Sequence, residues 1–171
     1  MTDEKGIEKV VVRNLDGEIT DVATLKDGVL DGETLVYSAG RVSARLQFRD
    51  GKQNGPATFY DDAGQILIKA LYKDGKLHGD SLYFGPDGNL VRKSAFENGF
   101  LHGYTIDYYP SGKPREVASF KNNVRDGELV RLTEKGKITE RLHYREGRVH
   151  QPPKAAGNPA ARKPGAGQEH T

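Results

Sequence analysis

The fold this sequence predicts is all-β: an elongated antiparallel meander of roughly twelve strands, two to a repeat. Three observations predict it. A large apolar residue recurs at Leu25, Phe48, Tyr72, Phe96, Phe120 and Tyr144, 24 residues apart after a first step of 23. Three residues beyond each stands Gly28, Gly51, Gly75, Gly99, Asn123 or Gly147, and a second glycine follows at Gly32, Gly55, Gly79, Gly103 and Gly127. Between the glycines, apolar and polar side chains alternate, and no stretch carries the 3.6-residue apolar period of a helix.

The elements follow in order. Gly17 lies eight residues before Leu25, just as Gly40, Gly64, Gly88, Gly112 and Gly136 lie eight before the later aromatics, so the array opens with a half repeat near Val10. Gly40 falls one residue early, which makes the first full repeat 23 long. Asp27-Gly28, Asp50-Gly51, Asp74-Gly75 and Asn98-Gly99 are dipeptides of the tight hairpin turn, in which both central residues need positive φ. Asn122-Asn123 substitutes, because asparagine tolerates that region. The opposite corner uses Pro86-Asp87-Gly88 and Pro110-Ser111-Gly112. One strand of each repeat is long: Ile66, Ile68, Ala70 and Tyr72 alternate in QILIKALYK, as do Leu90 with Phe96, and Ile138 with Leu142 and Tyr144. The other is shorter, with Leu82 and Phe84, Ile106 and Tyr108, or Val130 and Leu132. Counted by twos, Phe48, Tyr72, Phe96 and Phe120 form one row with Ile66, Leu90 and Ile138, all pointing inward. Deleting Phe96 from such a core costs about 3–5 kcal/mol.

This divides the chain into a lead-in at 1–9, the array at 10–150 and a tail at 151–171. The tail holds four of the eight prolines and no large apolar side chain, a composition expected to stay disordered. Without cysteine the chain has no disulfide, thiolate nucleophile or cysteine-ligated metal. The charged start MTDEKGIEK lacks the apolar core of a signal peptide, and no run is long enough to span a bilayer, so a cytoplasmic protein is expected. The net charge of +2 resides in the tail, where Lys154, Arg162 and Lys163 face only Glu169. A neutral body with no visible basic stripe argues against nucleic acid and against an anionic membrane.

The run YKDGKLHG at 72–79, repeated as FENGFLHG at 96–103 and FRDGKQNG at 48–55, resembles the MORN repeat. Its 24-residue spacing is similar to the bacterial MORN variant, including YwqK-type proteins of toxin–antitoxin systems. The resemblance covers residues ~15–150. It implies a hairpin array whose sheet curls into a narrow aromatic trough, and a non-enzymatic protein-binding module. The most specific role it implies is that of an antitoxin or immunity protein sequestering a cognate toxin; a scaffold at a membrane surface is the alternative. No helix or second sheet is available to cover an apolar face. Curling, pairing with another copy through a sheet edge or that face, or a client protein are the ways to cover it.

No cofactor, metal or catalytic constellation is expected. His78 and His102 share a column with Asp31, Asn54 and Asp126. Equivalent residues sit two strands, about 9.6 Å, apart, too far to share an ion, so the column reads as polar side chains bonding to local backbone at a turn. Gly-Lys at 51–52, 75–76, 112–113 and 136–137 is followed by Gln53, Leu77, Pro114 and Ile138, not by the Ser or Thr of a phosphate loop. Asp61, Asp62, Asp107 and Glu116 are scattered, with no nucleophile at a fixed offset. The departures are Phe100, Tyr104 and Tyr109, whose counterparts one repeat earlier are Lys76, Asp80 and Gly85. Aromatics where the column calls for polar residues read as a partner-binding patch.

Overall fold

The computed structural model describes residues 6–150, and the tail expectation therefore lies outside the described residues. These residues form one antiparallel sheet of 15 strands in sequential order. Twelve are long: β1 (Ile7–Arg13), β2 (Ile19–Lys26), β3 (Val29–Ser38), β4 (Arg41–Arg49), β6 (Gly55–Tyr60), β7 (Ile66–Lys73), β9 (Gly79–Phe84), β10 (Leu90–Glu97), β11 (Phe100–Tyr108), β12 (Pro114–Lys121), β13 (Val124–Leu132) and β14 (Ile138–Arg145). Three are two-residue stubs, β5 (Lys52–Gln53), β8 (Lys76–Leu77) and β15 (Arg148–Val149), which pair with the ends of β4, β7 and β14. The first strand begins at Ile7, three residues before the expected start.

The turns are as the dipeptides predict. Asp27-Gly28, Asp50-Gly51, Asp74-Gly75, Asn98-Gly99, Asn122-Asn123 and Glu146-Gly147 all have φ between 48° and 89° at both positions, the mirror-image turn that matches strand twist. A seventh, Ala39-Gly40, explains the short first repeat. At the other corners Gly64, Gly88, Gly112 and Gly136 close three-residue loops by donating to Asp61, Gly85, Tyr109 and Thr133. Between Ser38 and Arg41 only two residues intervene.

Each turn is also tied to the hairpin before it. The N–H groups of Gly51, Gly75, Gly99, Asn123 and Gly147 donate to the carbonyls of Leu30, Gln53, Leu77, Leu101 and Arg125 at 2.8–3.0 Å. The histidine column joins the same links and corrects the local-backbone expectation. Asp31 accepts from the N–H of Asp50 and Asp126 from that of Glu146, each at 3.2 Å, and His102 Nδ1 lies 3.4 Å from Asn122 Oδ1. These partners lie 19 to 20 residues on, in the next repeat. His78 Nδ1 is buried without a partner.

The core is a row of small residues. Residues directly opposite on neighbouring strands share a face, and the pairs Ala23–Thr34, Ala57–Ala70, Ser81–Ser94, Ser94–Thr105, Thr105–Ala118 and Ala118–Leu129 run across one face. Ala23, Thr34, Ala57, Ala70, Ser81, Ser94, Ala118 and Leu129 are buried. The expected aromatic row flanks them on the same face, but Phe48, Tyr72, Phe96 and Phe120 are only half-buried. The physical reason is that one sheet has no second layer. Bulky flanking side chains can close over a residue between them, but no further layer closes over the flanking aromatics. Burial nonetheless pushes the Tyr72 phenol above its ordinary pKa, because a phenolate there would lose hydration.

Ile138, expected inward, is 45% exposed. Counting by twos fails because Arg131 pairs with Glu140 while Leu132 pairs with Ile138, leaving Thr139 as an extra residue. The same one-residue shift separates Ile66 from Ile68 and Leu90 from Arg92.

Candidate binding surfaces

On the buried-row face, a second flanking row changes character along the sheet. Toward the N-terminus it is apolar, with Val36, Ala44, Phe59, Ile68 and Tyr83 in register. From β10 onward it becomes Arg92, Asp107, Glu116, Arg131 and Glu140, each opposite the next. Arg92 donates through Nε to Asp107 at 2.6 Å and through Nη2 at 3.0 Å; Arg131 donates to Glu116 at 2.8 Å and also to Glu140. These carboxylates raise the pKa of both guanidinium groups, chiefly through the hydrogen bonds. Asp107 and Glu116, scattered in the sequence, thus stand opposite each other with arginines on both sides. That carboxylate pair would be unfavourable alone; Arg115, 3.9 Å from Asp107, and Arg125, 3.9 Å from Glu116, add further positive charge. Nothing in the sequence marks this ladder, because it appears only once residues 9 or 15 apart on neighbouring strands are placed in register.

Where the two halves meet lies a shallow groove of about 430 Å³, lined by Tyr83, Val91, Arg92, Ser94, Phe96, Leu101, Asp107 and Arg115. Its carboxylate is already matched by Arg92, and among the described residues no three His, Asp or Glu side chains converge as metal ligands would. Such a groove can hold an extended or aromatic segment against Tyr83 and Phe96, with Arg115, 57% exposed at its side chain, left at the rim.

The opposite face carries two of the three aromatics singled out by column. Phe100 is 49% exposed and pairs with Glu97; Tyr104 is 61% exposed and pairs with Ser119. Both stand on β11, about 13 Å apart at the rise of an extended strand. Neither makes a hydrogen bond through its side chain among the described residues. Tyr109 lies apart from them, at the corner end of the sheet. Its hydroxyl donates to the carbonyl of Leu132 at 2.8 Å, a contact that accounts for its position within the fold.

Phe100 also belongs to a row that parity along single strands conceals. The last pair of every tip hairpin lies on this outer face: Lys26–Val29, Arg49–Lys52, Lys73–Lys76, Glu97–Phe100, Lys121–Val124 and Arg145–Arg148. All twelve residues are exposed. Three of the pairs oppose like charges, which costs stability in an isolated sheet. A basic stripe is therefore present, contrary to the sequence reading, although Asp27, Asp50, Asp74 and Glu146 in the turns stand beside it. No helix among the described residues is long and apolar enough to cross a membrane.

A single-layer array of hairpins with solvent-facing grooves and stripes is a repeat module. Comparison with known proteins agrees at that level. The family model of the MORN repeat variant matches residues 53–74 and 101–122, two of the repeats the coordinates show. MORN repeats are generally associated with protein or membrane binding. The matched model describes the repeat and carries no antitoxin assignment, so the YwqK-type resemblance gains no support. No curated protein matches the sequence. Among matching solved structures is the GtfA/B complex bound to UDP and GlcNAc, at 16% identity and a TM-score of 0.29, with 65% of this chain covered. The chain spans 22% of the length of that protein.

Proposed function

We propose that this protein is a non-enzymatic module that binds another protein, with the outer surface of β11 as its docking site. The observation that carries this reading is the pair Phe100 and Tyr104. Two large aromatics are exposed on one face of one strand, in columns filled by Lys76 and Asp80 in the preceding repeat. Exposed aromatics of this kind anchor interfaces because they bring area and, in tyrosine, a polar tip. Sequestration of a toxin, as in an antitoxin or immunity protein, is the specific form suggested by the sequence resemblance. The test is capture of partners from the native cell, followed by affinity and melting measurements on Phe100→Ala and Tyr104→Ala. Each substitution should weaken the complex by about 1–4 kcal/mol, the hot-spot range, while leaving the melting temperature nearly unchanged. Unchanged affinity in both correctly folded variants overturns the site.

The tip stripe supports a second reading, a scaffold on an anionic membrane surface. Co-sedimentation with vesicles containing phosphatidylserine, lost at high salt and in a Lys73→Glu/Lys76→Glu variant, would establish it in place of the first.

A further inference from the structure

We infer that the two ends of the sheet are complementary and that a second copy of this chain docks head to tail, its β1 lying against β14. The argument rests on what is missing at each end. Inside the array, β4 is covered by the stub β5 and then by the long strand β6, and β7 by β8 and then β9. At the C-terminal end β14 has only its stub: Arg148 and Val149 pair with Arg145 and Tyr144, and Ile138–His143 have no partner strand on that side among the described residues. At the N-terminal end the reverse holds. β1 is a long strand, paired with β2 along its whole length, and among the described residues no stub precedes it. Each end therefore holds the piece the other lacks.

After His150 the sequence reads Gln151-Pro152-Pro153 where earlier repeats have Gly79-Asp80-Ser81, and proline has no N–H to give to a ladder. A second copy fits in both direction and register. The long strands alternate through the meander, so an incoming β1 runs antiparallel to β14. In the pattern that places Thr105 opposite Ser94 and Asp107 opposite Arg92, the incoming Val10 falls opposite Leu142 and Val12 opposite Glu140. The buried row then continues from Leu129 and Leu142 into Val10. The charges of β14 do not oppose this, because Glu140 is held by Arg131 and both Arg141 and His143 by Glu128, all on β13. On β1, Val10, Val11 and Val12 are 37%, 49% and 45% exposed, an apolar edge of the kind that recruits another strand.

The absence of cysteine allows a direct test. In this register Lys9 of one copy faces His143 of the next, and both are surface positions. Chains carrying Lys9→Cys and His143→Cys are mixed and oxidised, and the untouched chain is followed by light scattering as concentration rises. Expected are a mixed disulfide in excess over either homodimer and masses rising in multiples of 18.8 kDa. The variant Val10→Lys/Val12→Lys, checked for folding by circular dichroism, should stay monomeric alone and form a single closed-off pair with Leu142→Lys. A disulfide joining two Lys9→Cys chains, together with dimers of Leu142→Lys alone, would show two-fold pairing of β1 and overturn the proposal. So would a chain monomeric at every concentration with no mixed disulfide.

Discussion

At the scale of the residue, most of the confined positions are small, Leu129 being the exception. Ala70 is 5% exposed and Ser94 3%, while Phe96 beside Ser94 is half-buried. In a single sheet each small side chain is roofed by its larger neighbours, so size is constrained at the small positions and area is buried at the large ones. Ala70→Leu is therefore expected to destabilise by about 1–3 kcal/mol, the cost of overpacking a closed site. Phe96→Ala should cost about 1–3 kcal/mol, below the range for a fully enclosed aromatic, because part of the ring never leaves water. Urea denaturation of both variants checks this. A neutral Ala70→Leu would mean the small row is not closed, and a loss beyond that range for Phe96→Ala would mean the aromatic row is. Phe96 was visible in the sequence as a column; the tight positions were not, because alanine and serine carry no signal until neighbouring strands are in register.

At the scale of the element, the hairpin is set by its turn. Asp-Gly and Asn-Gly adopt positive φ at both positions, as their chemistry favours, while Ala39 (φ 48°) and Glu146 (φ 51°) do so without a side chain suited to it. An L-residue with a Cβ in that region is strained by about 1–2 kcal/mol, and asparagine much less. Ala39→Asn should raise stability by about 0.5–1 kcal/mol, read as a higher denaturation midpoint with an unchanged slope. No gain would imply that the turn relaxes out of the conformation described here. Gly127 shows the opposite constraint. It sits at φ 104°, where an added Cβ would come within 2.9 Å of the Ser119 Cβ, so the second glycine of the repeat holds the bulge that lets stub and strand share one partner.

At the scale of the whole molecule, the sheet behaves as a one-dimensional array. Each long strand touches only its neighbours, and every tip turn is bonded to the hairpin before it, so stability is a sum of local and nearest-neighbour contributions. Amide exchange on dilute protein should therefore be slowest in β7 to β11 and progressively faster toward β1 and β14, which have a neighbour or a full strand on one side only. Uniform protection from end to end would instead indicate a single cooperative unit. Raising the concentration should slow exchange selectively in β1 and β14 if the ends pair as inferred.

The sequence by itself determined the repeat, the twelve long strands, the turn type and the aromatics of β11, though not the three stubs. Each is written in local chemistry: glycine and asparagine where φ must be positive, alternation where a strand has two faces, and aromatics where the preceding repeat has Lys76 and Asp80. Only the tertiary structure decided which residues stand opposite one another. The Arg92–Asp107–Glu116–Arg131–Glu140 ladder, the like-charged tip pairs Arg49–Lys52 and Lys73–Lys76, and the separation of Tyr109 from Phe100 and Tyr104 depend on register across strands. A one-residue bulge in each repeat resets that register, and counting along a single strand cannot see it, because side-chain direction is fixed by the pairing partner as well as by parity.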